Sequence, residues 1–395
     1  MFNEKMYALG SKRSTIREIF EYAKTRAEEI GAENVFDFSI GNPSVPAPKE
    51  VNEAIMNAVK EIPSVALHGY TSAQGDKDVR DTLAKNYTRR FGVEISGDDF
   101  YMTCGAAASL TITLKALTNA GDEVLVFAPF FPEYRVFAEA CGAELSVVPS
   151  KEDMLPDFDA LERAMTPRVK AVLINTPNNP SGVVYGEQTL KTLTEILRKK
   201  SEEYGAPVYL ISDEPYRELV YEKTAQAHSP MRYYDDTLVC YSYSKSLSLP
   251  GERIGYIAVN PKAKENKKLY AAICGAGRAL GYVCAPALFQ RVAAACDGLT
   301  ADLEVYKRNR DLLYTGLREY GFTCIYPDGA FYLFVKAAEQ DAAAFCQRAK
   351  KYELLLVNGA DFGADGWVRI AYCVPTKQIE RALPLFKKLA EEYGL

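Results

Sequence analysis

The residues with the clearest chemical potential lie in the segment YSYSKSLSLPGERIGY, at positions 241–256. Lys245 follows an apolar, strand-like stretch, stands among serines and precedes Arg253 by eight positions. Open α/β sheets bind ligands at the carboxyl ends of their strands, so we expect this lysine to face a polar cleft. A lysine withdrawn from water has a lowered pKa and can act as a nucleophile that forms a Schiff base. The alternative is an ordinary solvated surface lysine.

Two other loops place polar groups just after predicted strands. The segment SDEPYREL contains Asp213 and Tyr216 in a turn with a proline between them, and NTPNNPSG contains Asn179. Turn formation and helix capping would account for each loop taken alone. Three such loops in succession favour a shared site, to which they would bring an anionic oxygen, a phenol and an amide.

The elements that must position these loops follow an alternating pattern. From residue 99 onward, short apolar runs alternate with helix-length amphipathic segments, which is typical of a mostly parallel sheet covered by helices. The predicted strands cover residues 98–103, 122–128, 143–149, 169–175, 206–212, 237–244 and 254–260. We therefore predict an α/β protein whose large domain, residues 46–284, has a mostly parallel seven-stranded sheet between helices.

A second, smaller α+β domain is predicted from both ends of the chain. Residues 285–395 contain two long helical runs, the strand-like segments FTCIY, AFYLFV, ELLLV and WVRIAY, and a final amphipathic helix. Near the start, a helix at about 13–30 precedes GNPSVPAP, whose prolines exclude a helix and suit a connector. We expect residues 1–45 to pack with the C-terminal unit.

Composition excludes several classes of function. The chain has 395 residues and a formal net charge of -5, so no overall positive field favours binding to nucleic acid or to anionic lipid. Two histidines, His68 and His228, cannot form a multi-histidine metal site, and none is predicted. Nine dispersed cysteines suit reduced thiols, and no apolar stretch approaches the roughly 20 residues of a membrane span. These features predict a cytoplasmic protein with no membrane partner.

Taken in order, the motifs resemble those of a known family. GNPSVP, HGYTSAQG, TCGAAASL, NNPSG, DEPY, SYSKSLSLPGERIGY and WVRIAY follow the order found in pyridoxal-phosphate-dependent aminotransferases of class I/II, with fold type I. The resemblance covers essentially the whole chain. It implies pyridoxal 5'-phosphate as the cofactor, because in this family the cofactor stores the electrons of the reaction.

The resemblance assigns the catalytic centre to three residues. Lys245 looks like the lysine that binds the cofactor aldehyde as a Schiff base and then moves the proton from Cα. Asp213 is similar to the carboxylate that keeps the pyridine nitrogen protonated. Tyr216, together with Asn179, resembles the pair that hydrogen-bonds the phenolic oxygen of the cofactor.

The same resemblance implies a phosphate site and a shared active site. The phosphate would be bound at the N-terminus of a helix, where the dipole favours an anion, by the following groups: Ser242, Ser244, Arg253 and the backbone of Gly105, Ala106 and Ala107. Phe131 takes the place of the aromatic residue that stacks on the cofactor ring. Tyr70 matches a tyrosine that the family supplies from the neighbouring subunit, which implies a homodimer with shared active sites.

For the substrate, Arg369 resembles the arginine that binds the α-carboxylate through two parallel hydrogen bonds. Gly41 and Asn179 would also contact the substrate, Gly41 through a close approach of its backbone. Arg278 has two interpretations: a ligand for a second carboxylate, or a surface ion pair, which is the more common situation.

Three functions are compatible with the sequence. The first is a ping-pong exchange of the amino group between an α-amino acid and a 2-oxo acid, with the donor side chain left open. The second is a carbon–sulfur β-eliminase, since lyases of this fold share the same motifs. The third is a non-catalytic or nucleotide-binding α/β protein, which is disfavoured because neither GxGxxG nor GxxxxGK[ST] occurs.

Overall fold

The computed structural model of the chain describes residues 2–11, 15–222 and 228–395. The strands are β1 (Phe36–Asp37), β2 (Phe100–Thr103), β3 (Glu123–Phe127), β4 (Glu144–Val148), β5 (Val169–Asn175), β6 (Tyr209–Asp213), β7 (Thr237–Ser242), β8 (Gly255–Val259), β9 (Cys324–Ile325), β10 (Tyr332–Lys336), β11 (Leu354–Leu355), β12 (Val357–Asn358) and β13 (Trp367–Ala371). The helices are α1 (Glu4–Ser11), α2 (Thr15–Ile30), α3 (Lys49–Glu61), α4 (Ser64–His68), α5 (Lys77–Phe91), α6 (Ala106–Leu117), α7 (Glu133–Ala140), α8 (Phe158–Ala164), α9 (Glu187–Tyr204), α10 (Tyr243–Ser246), α11 (Asn266–Ala279), α12 (Ala287–Ala295), α13 (Leu303–Glu319), α14 (Ala342–Lys350) and α15 (Thr376–Glu392).

A seven-stranded sheet forms the centre of the molecule, in the order β2-β8-β7-β6-β5-β3-β4. The pairs among β7, β6, β5, β3 and β4 are parallel, whereas β8 runs antiparallel to both β7 and β2. Its strands are buried along most of their length because helices cover both faces. The predicted α/β architecture with a mostly parallel seven-stranded sheet is confirmed.

The register of the sheet brings the predicted chemical groups together. Strands β5, β6 and β7 are parallel neighbours, and Asn175 at the end of β5 pairs with Asp213 at the end of β6. Asp213 in turn pairs with Cys240, two residues before Ser242 ends β7. The three loops therefore leave the same edge of the sheet side by side.

The C-terminal residues form a second sheet, in the order β12-β13-β10-β9, with antiparallel β10–β13 and β12–β13 pairs. The N-terminal segment joins this part of the molecule, because Phe36 pairs with Leu354 in a parallel β1–β11 ladder. The buried residue Phe38 belongs to the same hydrophobic cluster as the C-terminal helices α13 and α15.

Helix α12, which follows the predicted domain boundary, packs against helices that precede it. A division at residue 285 assigns α12 to the smaller unit, but its buried residues Val292 and Ala293 pack in the hydrophobic cluster that contains Val51 of α3 and Leu83 of α5. Apolar periodicity identifies a helix but not the surface that it covers.

Across the described part of the chain, no helix is long and apolar enough to cross a membrane.

Candidate active site

A cavity of about 300 Å³ lies at the carboxyl ends of β5, β6 and β7. It has a polar floor and a partly apolar wall, and it is lined by Ile16, Ile40, Gly41, Ala106, Ala107, Leu110, Phe131, Asn175, Asn179, Asp213, Pro215, Tyr216, Ser242, Ser244, Lys245, Pro250, Arg253, Tyr332 and Arg369. Most of the residues predicted to form the site thus face one space, although they are far apart in the sequence.

Lys245 enters the cavity from α10, a single turn that follows β7. Its Nζ donates a hydrogen bond of 2.6 Å to the backbone oxygen of Gly41 and lies 5.6 Å from the ring centroid of Phe331. Loss of solvent around the side chain lowers the pKa of the amine from 10.5 to about 8, with smaller effects from Arg253 and Arg369. Near neutral pH the amine is therefore neutral, and nucleophilic, in a much larger fraction of molecules than an exposed lysine would be.

Asp213 is fully enclosed at the end of β6, and one of its oxygens is held by a residue that the sequence analysis did not identify. Tyr134 on α7 donates a hydrogen bond of 2.5 Å to Oδ2 of Asp213. Burial raises the pKa of the carboxyl group to about 7, although the bond from Tyr134 opposes that effect. A cationic partner in the cavity would compensate the buried carboxylate and lower that pKa again.

Asn179 and Arg369 are connected by a chain of hydrogen bonds. Asn175 donates from Nδ2 to the backbone oxygen of Asp213 at 2.9 Å and accepts from the backbone N–H of Asn179 at 2.7 Å. Oδ1 of Asn179 accepts from Arg369 at 3.0 Å, and Arg369 also donates to the backbone oxygen of Ser39. The arginine is thereby fixed at the cavity wall.

Aromatic rings complete the surroundings of Arg369. Its Cζ lies 4.6 Å from the ring centroid of Tyr332 and 4.9 Å from that of Phe362. Both contacts are cation–π interactions, which hold the plane of the guanidinium while leaving its edge available. Glycine is required at position 41, because a Cβ there would overlap the hydroxyl group of Tyr332.

The predicted phosphate-binding groups also lie together. Ser242 and Ser244 are joined by a hydroxyl hydrogen bond of 2.6 Å, and Arg253 donates to Pro250 at 3.0 Å and reaches Ser244 at 3.5 Å. Gly105 precedes the first turn of α6 with φ of 88°, and a Cβ there would lie 2.9 Å from Nη2 of Arg253. Hydroxyl groups, a guanidinium and a helix N-terminus are suitable partners for a phosphate.

Two buried polar atoms without partners test whether this cavity fits the expected cofactor. Oδ1 of Asp213 and Nε of Arg369 have no hydrogen-bond partner among the residues that the structure describes. An unpaired buried polar atom is costly, so such atoms indicate a missing ligand. A protonated pyridine nitrogen would satisfy the first and a substrate carboxylate the second, and the phosphate group matches the cradle around Arg253. The residues therefore fit pyridoxal 5'-phosphate.

Two of the predicted site residues, Gly105 and Tyr70, are not among the residues that line the cavity. Gly105 directly precedes the lining residue Ala106, whereas Tyr70 is 88% exposed. Arg278 is exposed on α11 and does not line the cavity. Within 2–11, 15–222 and 228–395, no cluster of histidine, cysteine, aspartate or glutamate side chains could hold a metal ion.

The sequence analysis missed several residues that form the cavity. Tyr134 donates a hydrogen bond to Asp213, and the ring of Tyr332 contacts Arg369. Ile16 and Ile40 supply part of the apolar lining. None belongs to a strand-end loop of the large sheet. Tyr134 lies three residues after Phe131, but nothing in that spacing pairs it with Asp213.

Comparison with known proteins provides an independent line of evidence. The family model for aminotransferase class I and II matches residues 33–385. A crystal structure of an amino transferase from Eubacterium rectale is 54% identical, covers 100% of both chains and superposes with a TM-score of 0.98. A probable aspartate aminotransferase from Methanocaldococcus jannaschii is 29% identical over 96% of this chain and 98% of its own. An aspartate/prephenate aminotransferase from Thermus thermophilus is 30% identical over 88% of this chain and 89% of its own.

Proposed function

Because the chain belongs to the class I and II aminotransferases and is an enzyme of amino-group transfer, we propose that it works with pyridoxal 5'-phosphate in the cavity around Lys245. The reaction exchanges an amino group between an α-amino acid and a 2-oxo acid. The names of the relatives favour this transfer over carbon–sulfur elimination. The observation that carries the proposal is the convergence of Lys245, Asp213 and Arg369 on one cavity.

In this proposal the cofactor is held at three points. Its phosphate would be bound by Ser242, Ser244, Arg253 and the first N–H groups of α6. Phe131 would cover its ring, and Asp213 would pair with its pyridine nitrogen. When bound, pyridoxal phosphate supplies an aldehyde for the amino group and a ring that accepts the electron pair released at Cα. Tyr134 fixes Asp213, so that the oxygen without a partner is directed to the ring nitrogen.

Lys245 has two tasks in this arrangement. Its amine, whose pKa burial lowers to about 8, would be the nucleophile that binds the aldehyde of the cofactor. With a substrate bound, the same amine would take the proton from Cα and return it later in the cycle. Tyr216 and Asn179 donate hydrogen bonds to the phenolic oxygen, which stabilises its negative charge.

Arg369 orients the substrate. Its position between Tyr332 and Phe362 holds the guanidinium plane, and a carboxylate can pair with its free edge. Binding the α-carboxylate in a fixed plane aligns the Cα–H bond with the amine of Lys245, which reduces the entropy cost of proton transfer. Gly41 allows the substrate to approach the backbone closely.

The direct test is a single half-reaction. Purified enzyme mixed with aspartate, phenylalanine or alanine alone should change its absorbance spectrum and release one equivalent of the matching 2-oxo acid, with no free ammonia. Borohydride treatment followed by peptide mapping should label Lys245, and Lys245→Ala should lose both the spectrum and the label. Release of ammonia with pyruvate, or labelling of another peptide, would contradict the proposal.

We further propose that the enzyme is a homodimer whose active sites are shared. Tyr70 is 88% exposed, and the apolar side chains of Met56, Val59 and Val65 are exposed on α3 and α4 nearby. An exposed apolar surface of this kind is typical of a protein interface. A partner subunit seated there would bring its own Tyr70 to the phosphate site of this chain.

Mixing two inactive variants tests the shared site. Tyr70→Ala and Lys245→Ala place their defects in different chains of a mixed dimer, and one of its two sites then contains neither substitution. Refolding the two together should restore up to roughly a quarter of the wild-type activity, while each variant alone stays inactive. Mixtures without any recovery would contradict a site shared between subunits.

Two broader expectations complete the proposal. We propose that the chain folds into the domains predicted above, which are a large unit and a smaller unit built from the C-terminal residues and the segment 1–45. Helix α12 is proposed to belong to the large unit, against which it packs. The enzyme is proposed to be cytoplasmic, in agreement with nine cysteines that are all free thiols. Limited proteolysis and thiol titration of the native protein test these two points.

A further inference from the structure

Tyr332 lies in the cavity wall between two groups that have different proposed tasks. Its hydroxyl oxygen is 2.8 Å from the hydroxyl oxygen of Tyr216, on the cofactor side. Its ring centroid is 4.6 Å from Cζ of Arg369, on the substrate side. One side chain therefore contacts both the partner of the cofactor oxygen and the partner of the substrate carboxylate.

The fold of the C-terminal unit explains this position. Tyr332 begins β10, and Phe334, two residues later on the same face, pairs directly with Arg369 of β13. Tyr332 is thus a diagonal neighbour of the arginine, within reach of an aromatic ring. Tyr216 comes from the turn after β6, so the hydroxyl pair joins the C-terminal sheet to the large sheet.

Packing leaves the ring of Tyr332 little freedom. The side chain is almost fully buried, and its ring meets that of Phe331 at 65° and that of Tyr216 at 82° in edge-on contacts. The backbone of Gly41 lies directly against the hydroxyl group. The hydroxyl cannot turn away from Tyr216 without displacing these neighbours.

The charge of Arg369 favours one direction for the hydrogen bond. The guanidinium of Arg369 lies 4.6 Å from the ring centroid of Tyr332, and its positive charge opposes the effect of burial, which raises the pKa of this phenol to about 12. A phenol whose ring lies against a cation is the better donor, and the proposed function needs the proton of Tyr216 for the cofactor oxygen, so Tyr332 donates and Tyr216 accepts. The proton of Tyr216 then has no other partner among the described residues and stays available to the cavity.

On the basis of the proposed function, we propose that Tyr332 is a positioning residue that acts through Tyr216 and Arg369. By donating to Tyr216, it polarises the second O–H bond and strengthens the hydrogen bond to the phenolic oxygen of the cofactor. Through its ring, it also holds the guanidinium that binds the substrate carboxylate. The two effects come from different atoms of one side chain, so substitutions can separate them.

The variant Tyr332→Phe removes the hydroxyl group and keeps the ring. Without its donor, Tyr216 stabilises the cofactor oxygen less, so the pH midpoint of the holoenzyme absorbance spectrum should rise by about half to one unit. We expect kcat to fall about 3- to 10-fold, while KM for the amino donor stays within about twofold, because the ring still covers Arg369. Tyr332→Leu should also raise KM, by about 3- to 30-fold.

A double-mutant cycle tests whether Tyr332 acts through Tyr216. In a Tyr216→Phe background, adding Tyr332→Phe should leave the absorbance midpoint unchanged, since the hydroxyl that it polarises is gone. Tyr234→Phe is the matched control, because Tyr234 is a buried tyrosine whose hydroxyl bonds to Val208 at 2.8 Å outside the cavity. This control should change neither the midpoint nor kcat.

The outcomes distinguish this inference from the proposed function. A wild-type enzyme that fails to bind the cofactor or to transfer an amino group would overturn the proposed function itself. A working wild type in which Tyr332→Phe lowers only the melting temperature, with the same midpoint and kcat, would overturn the role of Tyr332. The role of Tyr332 would also be overturned if Tyr332→Phe shifted the absorbance midpoint equally in the wild-type background and in the Tyr216→Phe background.

Discussion

In the cofactor-free protein, burial of the charged Lys245 amine lowers the free energy of unfolding by an amount that depends on pH. Replacing Lys245 by methionine, which has a similar length and no charge, should remove this cost. Burial lowers the pKa of the Lys245 amine from 10.5 to about 8, so the folded chain binds this proton less tightly than the unfolded chain. At about 1.4 kcal/mol for each pKa unit, keeping the charged amine in the folded state costs about 3 kcal/mol.

The sign of the effect follows from the two pKa values. Below about pH 8 both states carry the charge and the penalty is complete, whereas above about pH 10.5 neither state carries it. The free energy of unfolding of the wild type, minus that of Lys245→Met, should therefore rise by about 3 kcal/mol from about pH 7 to about pH 11. Loss of the hydrogen bond to Gly41 moves the whole curve but not its slope.

Urea unfolding of the cofactor-free proteins, at equal concentrations, measures this difference. Trp367 is the only tryptophan, and its stacking on Phe334 at 5.3 Å makes its fluorescence a reporter of folding. Lys115→Met, at an exposed position of α6, is the control and should follow the wild type. A difference between wild type and Lys245→Met that stays constant over this pH range would refute the lowered pKa and the reasoning on nucleophilicity.

Three further predictions concern other parts of the site. Asp213→Asn should stabilise the cofactor-free protein at about pH 8 by up to about 4 kcal/mol and leave it unchanged near pH 4, since burial raises the pKa of that carboxyl from 3.8 to about 7. Urea unfolding at both pH values measures this difference. A gain in the free energy of unfolding that is the same at both pH values would contradict it. Arg369→Lys should raise KM for the amino donor about 10- to 100-fold, because lysine cannot form two parallel hydrogen bonds to a carboxylate. An unchanged KM in steady-state kinetics would contradict this prediction. Gly41→Ala should lower the free energy of unfolding by about 1 to 3 kcal/mol, because the added Cβ overlaps the hydroxyl of Tyr332. A melting temperature equal to that of the wild type would contradict this and would mean that the side chain of Tyr332 moves to accommodate the Cβ.

Local sequence pattern predicted the large sheet well because each strand is a short apolar run bounded by turn residues. It also predicted the groups at the strand ends, such as Asp213, since parallel neighbours present their carboxyl ends to one edge. The partner of Asp213 was missed because Tyr134 is 79 positions away and its ring gives an ordinary core signal. Local periodicity likewise does not say which surface α12 covers, since its apolar stripe fits either unit.

The sequence by itself determined which chemical groups this protein carries and which strand ends present them, because residue identity and apolar periodicity are local properties. Only the tertiary structure decided how those groups influence one another. The contact between Tyr332 and Tyr216 joins residues 116 positions apart, and the amine of Lys245 donates a hydrogen bond to the backbone oxygen of Gly41, 204 positions away. Burial, hydrogen-bond direction and pKa arise from such distant contacts, so they are fixed only when the chain has folded.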